Sequence, residues 1–363
     1  MSTAPTGPWR AEGVTRELSE RGLDALLVTN LVNVRYLTGF GGTSGLCVVS
    51  EGDRFFMTDF RYTERAEREV APTGFERVEA GREALEQLAE RMGRAGFSRV
   101  GFDDAHLTVR QHGRYADKLT GIELVPAAGV VEGLRAVKEE GELAAIRAAS
   151  ALADEVYGLV PERGLAGRTE REVANELEHE MRLRGAEPSF PSIVAGGANG
   201  ALPHAEPGAD VIPRDALVVL DMGCRLDGYC SDCTRTFATG RLSDDASAVY
   251  DLVRAAQQAA LEAVAPGASA AAVDSVAREL ITAAGHGERF GHGLGHGVGL
   301  EVHEEPRVSQ AAEGELEPGN VVTVEPGVYV AGELGVRIED LVAVTASGHE
   351  VISGFTKDLV TVA

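Results

Sequence analysis

Cysteine is scarce in this sequence. Only Cys47, Cys224, Cys230 and Cys233 occur among 363 residues. Secreted domains that depend on disulfides carry more cysteine in a shorter chain, so that class is excluded and reduced thiols in a cytosol fit better. The N-terminal segment lacks the apolar region of a signal peptide, and no run approaches the roughly 18 apolar residues of a membrane helix. These absences predict a cytoplasmic protein.

Positive charge is also scarce. The 34 Lys and Arg residues are outnumbered by 57 Asp and Glu residues, so the formal net charge is -23 at pH 7. Nucleic acid and anionic membrane surfaces repel such a chain unless it hides a basic patch, and the sequence has no such patch. We therefore expect neither nucleic acid nor a membrane as a partner.

The pattern of apolar residues predicts two domains. Short apolar runs alternate with helical patterns up to about residue 131, which is typical of an α/β domain. A long amphipathic helix begins after that point, so the predicted domains are residues 1–131 and 132–363. In the second domain, a pair of helices followed by Gly-rich, strand-like sequence occurs twice, and a capping box from Thr169 to Glu172 begins one helix. This repetition indicates two related halves with a site at their shared seam.

Glycine is abundant, and residues 290–304, FGHGLGHGVGLEVHE, hold five glycines and three histidines. A dinucleotide fingerprint needs one odd offset between its glycines, but all five lie at odd positions, and no lysine follows them as in a P-loop. The zinc-protease motif HExxH is absent. In an extended segment His292 and His296 would lie roughly 13 Å apart. One histidine is therefore expected to bind a metal ion while the others line a pocket.

Acidic residues in strand-like sequence are candidate metal ligands. In a hairpin that turns near residues 226–227, Asp221 and Asp232 lie roughly opposite each other, and facing carboxylates repel unless a cation neutralises them. Glu325 and Glu339 lie in apolar runs, where an unpaired carboxylate is costly. Two Asp, one His and two Glu form a donor set that suits a pair of divalent ions, and it favours Mn²⁺ or a similar ion over a thiolate-type zinc site.

Five motifs occur in a fixed order: FPSIVAGGANGALPH, LDMGCRLDGYCSDCTRTF, GHGLGHGVGLEVHE, VEPGVYV and VRIED. Together they resemble the motif series of the pita-bread metallopeptidases and, within that group, of the Xaa-Pro peptidases prolidase and aminopeptidase P. NVRYLTGFGG and TDFRYTERA resemble the first domain of the same family. The resemblance implies an α/β N-terminal domain of the creatinase/prolidase type. It also implies an α+β pita-bread catalytic domain with pseudo-twofold halves, and a homodimer.

The resemblance also implies roles for individual residues. Two divalent ions, with Mn²⁺ expected and Co²⁺ or Zn²⁺ as alternatives, would be held by Asp221, Asp232, His296, Glu325 and Glu339. Glu325 would also carry protons. His204 and His303 would stabilise the tetrahedral intermediate. His292 and Arg337 would shape the site that receives the proline of the substrate, and Tyr329 would line it.

The implied function is hydrolysis of the bond between an N-terminal residue and proline. The chain length slightly favours an Xaa-Pro dipeptidase over an Xaa-Pro aminopeptidase acting on longer peptides, so the expected partners are proline-containing di- or oligopeptides. The alternatives are a creatinase-like C–N hydrolase and a non-catalytic pita-bread binding protein. Both have lost ligands that this chain keeps. The long first domain counts against a methionine aminopeptidase.

Overall fold

A computed structural model describes residues 9–81 and 83–362. They form two compact units, one ending at Arg135 and the other beginning at Ala136. The domain boundary predicted between residues 131 and 132 lies inside a helix, Val130–Ala136, and stays a prediction. Within the described residues, no helix combines the length and apolar character needed to cross a bilayer.

The first unit is built on one mixed sheet. Its strands are β1 (Ala25–Val28), β2 (Leu46–Ser50), β3 (Arg54–Thr58), β4 (Glu76–Glu79), β5 (Arg99–Phe102) and β6 (Glu123–Pro126). Its helices are α1 (Trp9–Arg21), α2 (Leu31–Thr38), α3 (Thr63–Val70), α4 (Ala84–Arg94), α5 (Val109–Lys118) and α6 (Val130–Ala136). The strand order is β4-β3-β2-β1-β5-β6. All four residues of β1 are buried, as expected of a central strand with both faces covered.

The second unit contains longer helices and several small sheets. Its helices are α7 (Glu140–Tyr157), α8 (Val160–Arg163), α9 (Glu170–Leu183), α10 (Asp244–Ala263) and α11 (Ala270–Ala283). Its first strands are β7 (Glu187–Pro188), β8 (Ile193–Gly196), β9 (Leu217–Met222), β10 (Cys224–Leu226), β11 (Tyr229–Cys230) and β12 (Cys233–Ala238). The later strands are β13 (Gly295–Gly297), β14 (Glu304–Val308), β15 (Val321–Val324), β16 (Gly327–Val330), β17 (Leu334–Arg337), β18 (Asp340–Thr345) and β19 (Gly348–Val351).

These strands pair almost entirely with antiparallel neighbours. The largest sheet has the order β14-β13-β15-β18-β19, and a second sheet has the order β12-β9-β8. Smaller sheets are formed by β11-β10-β7 and by β16-β17. Each half of the unit has its own apolar core: Val156 and Leu220 belong to one cluster, and Val253 and Val322 belong to the other.

The two halves repeat the same entry into their second helix. The Thr169 hydroxyl caps α9 in a capping box with Glu172, as predicted, and the Ser269 hydroxyl caps α11. Two residues before each cap, Gly167 (φ 81°) and Gly267 (φ 80°) adopt a left-handed conformation that favours glycine. Each glycine N–H then donates to the main chain of an extended segment later in its own half. The repetition inferred from the sequence is therefore present in the backbone.

Candidate metal centre and substrate cleft

A tight hairpin places the two aspartates. Asp227 (φ 48°) and Gly228 (φ 88°) both have positive φ angles, as the central residues of a type I′ turn require. The strands that continue this hairpin pair Asp221 with Thr234. The expectation that Asp221 lies opposite Asp232 was wrong, because the turn lies one residue later than predicted and shifts the pairing by two. A shift of two keeps the same strand face, so Asp232 remains diagonal to Asp221.

Close packing around β13 explains the glycines of the histidine-rich segment. β13 lies between β14 and β15. A Cβ added to Gly295 would lie 2.0 Å from the Thr323 carbonyl oxygen, and one added to Gly297 would lie 2.2 Å from the Glu305 carbonyl oxygen. The two glycines flank His296. Because they lack a Cβ, β13 can lie close to the main chain of β14 and β15, and this close approach fixes the position of His296.

We expect Gly295→Ala to destabilise the protein by about 3 kcal/mol or more, because the new methyl group meets rigid main chain. Urea unfolding followed by circular dichroism measures this change. Gly291→Ala is the matched control, because a Cβ at Gly291 meets no atom within 4 Å. Equal stability of the two variants would contradict the close approach of β13 and β15.

Three predicted ligands form a tight buried cluster. Asp232, His296 and Glu339 each offer a ligand atom, and these atoms lie within 4.8 Å of one another. His296 Nε2 also lies 3.2 Å from a Glu325 carboxylate oxygen. These four residues and Asp221 line one cleft of about 600 Å³.

Electrostatics in this cluster disfavour isolated negative charges. Burial and the nearby carboxylates of Glu339 and Asp221 raise the pKa of Asp232 well above its usual value. Burial and the carboxylates of Glu325 and Asp221 do the same to the pKa of Glu339. For Glu325, burial opposes ionisation, but hydrogen bonding to His296 and the nearby positive charges lower its pKa to about 2. The site therefore holds more buried carboxylates than its positively charged side chains neutralise.

The donor set fits divalent cations. Asp221 Oδ1 and Glu339 Oε1 are buried and have no hydrogen-bond partner. Buried acceptors without a partner are rare, and a cation would satisfy both of these oxygens. Several carboxylate oxygens with one imidazole nitrogen match the preferences of hard to borderline divalent ions.

A hydrogen-bonded chain connects His292 to the ligands. His292 Nε2 lies 2.9 Å from the Tyr329 hydroxyl, which accepts a hydrogen bond from Arg337 Nη1 at 3.0 Å. Arg337 also donates to Asp221 Oδ2 at 2.6 Å, to the Thr234 hydroxyl and to the Pro203 carbonyl. Four of the five N–H groups of its guanidinium are thus used within the site. Burial lowers the pKa of His292, so its ring is neutral near pH 7.

The remaining predicted histidines lie at the exposed side of the cleft. His204 and His303 both line it, and the His303 ring centroid is 4.2 Å from that of His296. Burial and the charge of His296 lower the pKa of His303. Every predicted site residue therefore lies in or directly beside one cleft, with Tyr329 reached through His292 and Arg337.

Comparison with known protein families identifies the family to which this chain belongs. Residues 144–346 match Metallopeptidase family M24, and residues 10–137 match the Creatinase/Prolidase N-terminal domain. The chain belongs to metallopeptidase family M24. The predicted family and fold class are confirmed, and membership in M24 implies divalent metal ions.

Individual relatives of this M24 peptidase cover almost all of its length. It is 40% identical over 352 residues to an uncharacterized peptidase, YqhT, of Bacillus subtilis strain 168, an alignment that covers 97% of this chain and 99% of that protein. A solved Xaa-Pro dipeptidase from Bacillus anthracis is 37% identical, has a TM-score of 0.94, and is matched over 97% of this chain and 99% of its own. An X-Pro aminopeptidase from Thermotoga maritima is 34% identical, with a TM-score of 0.88 and coverage of 95% and 99%.

Some residues around the cleft of this M24 peptidase were not predicted from the sequence. The Thr323 hydroxyl donates to Glu325 Oε1 at 3.1 Å and accepts from the His296 N–H at 3.1 Å, so it joins two predicted ligands. Thr234 similarly contacts Glu339. In the sequence both threonines look like ordinary strand residues. Thr323 lies two residues from Glu325 and Thr234 lies two residues from Asp232, and this spacing, which places residues on the same face of a strand, was the one feature that could have indicated them. Further lining residues are Phe190, Pro191, Ile193, Val302 and Arg307.

Proposed function

We propose that this M24 peptidase is an Xaa-Pro dipeptidase that uses two divalent metal ions, with Mn²⁺ expected. The observation that carries the proposal is the convergence of the five candidate ligands in one cleft. Two relatives of 37% and 34% identity carry an Xaa-Pro or X-Pro activity in their names, which supports the same bond specificity here.

The family resemblance implies which residues would hold the two ions. Asp221, Asp232, His296, Glu325 and Glu339 would together supply the ligand atoms, and all five line the same cleft. When bound, such ions polarise the scissile carbonyl and lower the pKa of water. The oxygen-rich ligation favours Mn²⁺, and Co²⁺ or Zn²⁺ would fit the same donors.

Glu325 is suited to moving protons. Hydrogen bonding to His296 and nearby positive charges lower its pKa, so the carboxylate is ionised at neutral pH, as a proton acceptor must be. In this role it would take a proton from the attacking water. It can then pass this proton to the proline nitrogen as the C–N bond breaks. The contacts with His296 and Thr323 hold the carboxylate in place during both transfers.

The histidines of the cleft would recognise the reacting group and the proline. His204 and His303 reach the exposed side of the cleft, where a ring N–H can donate to the developing negative charge on the carbonyl oxygen. A donor of this kind contributes about 3 to 4 kcal/mol to the transition state. His292 and Tyr329 would line the proline side, with Arg337 donating a hydrogen bond to Tyr329, which in turn contacts His292.

An assay of matched peptides in the presence of Mn²⁺ tests the proposal. The protein should hydrolyse Xaa-Pro dipeptides with a kcat/KM at least about 10-fold above that for Xaa-Pro-Xaa tripeptides, a difference of about 1.4 kcal/mol in transition-state binding. Xaa-Ala dipeptides serve as the control for proline recognition. Hydrolysis of the tripeptides alone would overturn the preference for dipeptides and favour an aminopeptidase. Metal uptake without turnover of any proline peptide would favour a binding protein.

Assembly and location are also proposals. A homodimer is what the resemblance to the family implies. A cytoplasmic location fits the four cysteines, which are all buried and unpaired. Reduced thiols of this kind are usual in a reducing compartment.

A further inference from the structure

Thr234 contacts both sides of the ligand cluster although it is not itself a candidate ligand. It lies on β12 opposite Asp221, and its side chain is fully buried. Its hydroxyl contacts Glu339 Oε2 at 2.7 Å and Arg337 Nε at 3.1 Å. A guanidinium can only donate, so the Thr234 oxygen accepts from Arg337 and its single hydrogen points to Glu339.

These contacts occupy one oxygen of each of two carboxylates. Glu339 Oε2 is taken by Thr234, while Glu339 Oε1 has no hydrogen-bond partner. Asp221 Oδ2 is taken by Arg337, while Asp221 Oδ1 has no partner. The hydroxyl and the guanidinium together fix the rotation of both carboxylates and leave one oxygen of each for a cation.

We propose that Thr234 is a positioning residue that sets the affinity of the site for divalent cations. It acts directly on Glu339, and it acts on Asp221 both through Arg337 and as its direct neighbour on the paired strand. This inference rests on the proposed metal-dependent function, because it assigns a role toward the same ions. Residues that orient metal ligands typically change metal affinity by about 10- to 100-fold when they are replaced.

The same strand offers a matched control. Thr236 lies two residues further along β12, and its side chain is also buried. Its hydroxyl donates to the Arg337 carbonyl at 2.8 Å and accepts from the Arg337 N–H at 3.2 Å. Thr236 thus contacts the main chain of Arg337, whereas Thr234 contacts its guanidinium and a candidate ligand. Valine in place of either threonine removes a hydroxyl of similar burial.

Titration of Mn²⁺ into the metal-free full-length protein by calorimetry tests the inference. Thr234→Val should weaken Mn²⁺ binding by about 10- to 100-fold and alter the absorption spectrum of the Co²⁺-loaded protein. Thr236→Val should leave both unchanged. Peptidase activity of Thr234→Val should be recovered by excess Mn²⁺. Equal Mn²⁺ affinity in wild type and Thr234→Val would overturn the inference.

A second pair of variants keeps the inference testable if Thr234→Val does not fold. Thr234→Ser and Thr234→Ala differ only by the hydroxyl. The serine variant should bind Mn²⁺ with the affinity of the wild type, and the alanine variant should bind it about 10- to 100-fold more weakly. Equal affinities of this pair would also overturn the inference. Failure of the wild type to bind Mn²⁺ would instead reject the proposed function, and the role of Thr234 would be rejected with it.

Discussion

Replacing Glu325 with glutamine should lower kcat by about 10³-fold or more, because a positioned general base contributes about 10²- to 10⁴-fold and this residue is also a candidate metal ligand. Glutamine has nearly the same shape but cannot accept and return a proton. The Glu325 main chain, whose N–H donates to the Leu294 carbonyl at 2.8 Å, is untouched. The fold should therefore be retained, with a circular dichroism spectrum like that of the wild type.

Steady-state kinetics on an Xaa-Pro dipeptide, with the metal content of each sample determined, measures this effect. Glu333→Gln is a matched control, because Glu333 is exposed in the turn between β16 and β17 and the substitution removes the same charge. Its kcat should equal that of the wild type. Turnover of Glu325→Gln within about 10-fold of wild type, a change of about 1.4 kcal/mol in the barrier, would show that another group carries the proton.

Much of the fold could be predicted because local signals agreed with the final structure. The capping box at Thr169 begins a helix where the sequence places one. The hairpin shows the limit of such signals. The sequence predicts a turn near residues 226–227, but the register depends on which two residues adopt positive φ angles, and these are Asp227 and Gly228. A difference of one position in the turn changed the partner of Asp221 from Asp232 to Thr234.

The acidic candidate ligands were predicted from residue types that are costly to bury, whereas the choice of His296 and the remaining site residues came from the resemblance to the family. Carboxylates in apolar strands stand out because they need a partner, and all five candidate ligands meet at one cleft. Thr234 and Thr323 do not stand out in this way, because threonine is common in strands and its hydroxyl readily finds a hydrogen-bond partner. The use of four N–H groups of Arg337 within the site also depends on contacts between distant strands. Such contacts are set by tertiary packing, which one sequence does not display.

Removing divalent metal should abolish activity and lower thermal stability together. Without a cation, Asp232 and Glu339 are buried beside other carboxylates, and the pKa of each is raised by burial and by those neighbours. A ligand at 100 times its Kd stabilises the native state by about 2.7 kcal/mol. For a unit of this size that corresponds to a rise in Tm of roughly 5 to 10 °C. Activity in EDTA should therefore fall to background, and added Mn²⁺ should restore both activity and Tm.

Two substitutions on the same hairpin separate a metal effect from a general one. Asp232→Asn removes a candidate ligand, so Mn²⁺ should no longer raise its Tm. Asp227→Asn changes an exposed aspartate in the turn, where asparagine tolerates the positive φ angle, and its response to Mn²⁺ should equal that of the wild type. Activity that survives chelation would point to a metal-independent, creatinase-like hydrolase. An equal Mn²⁺ response in Asp232→Asn and Asp227→Asn would place the ion elsewhere, because only Asp232 lies in the buried cluster with His296 and Glu339.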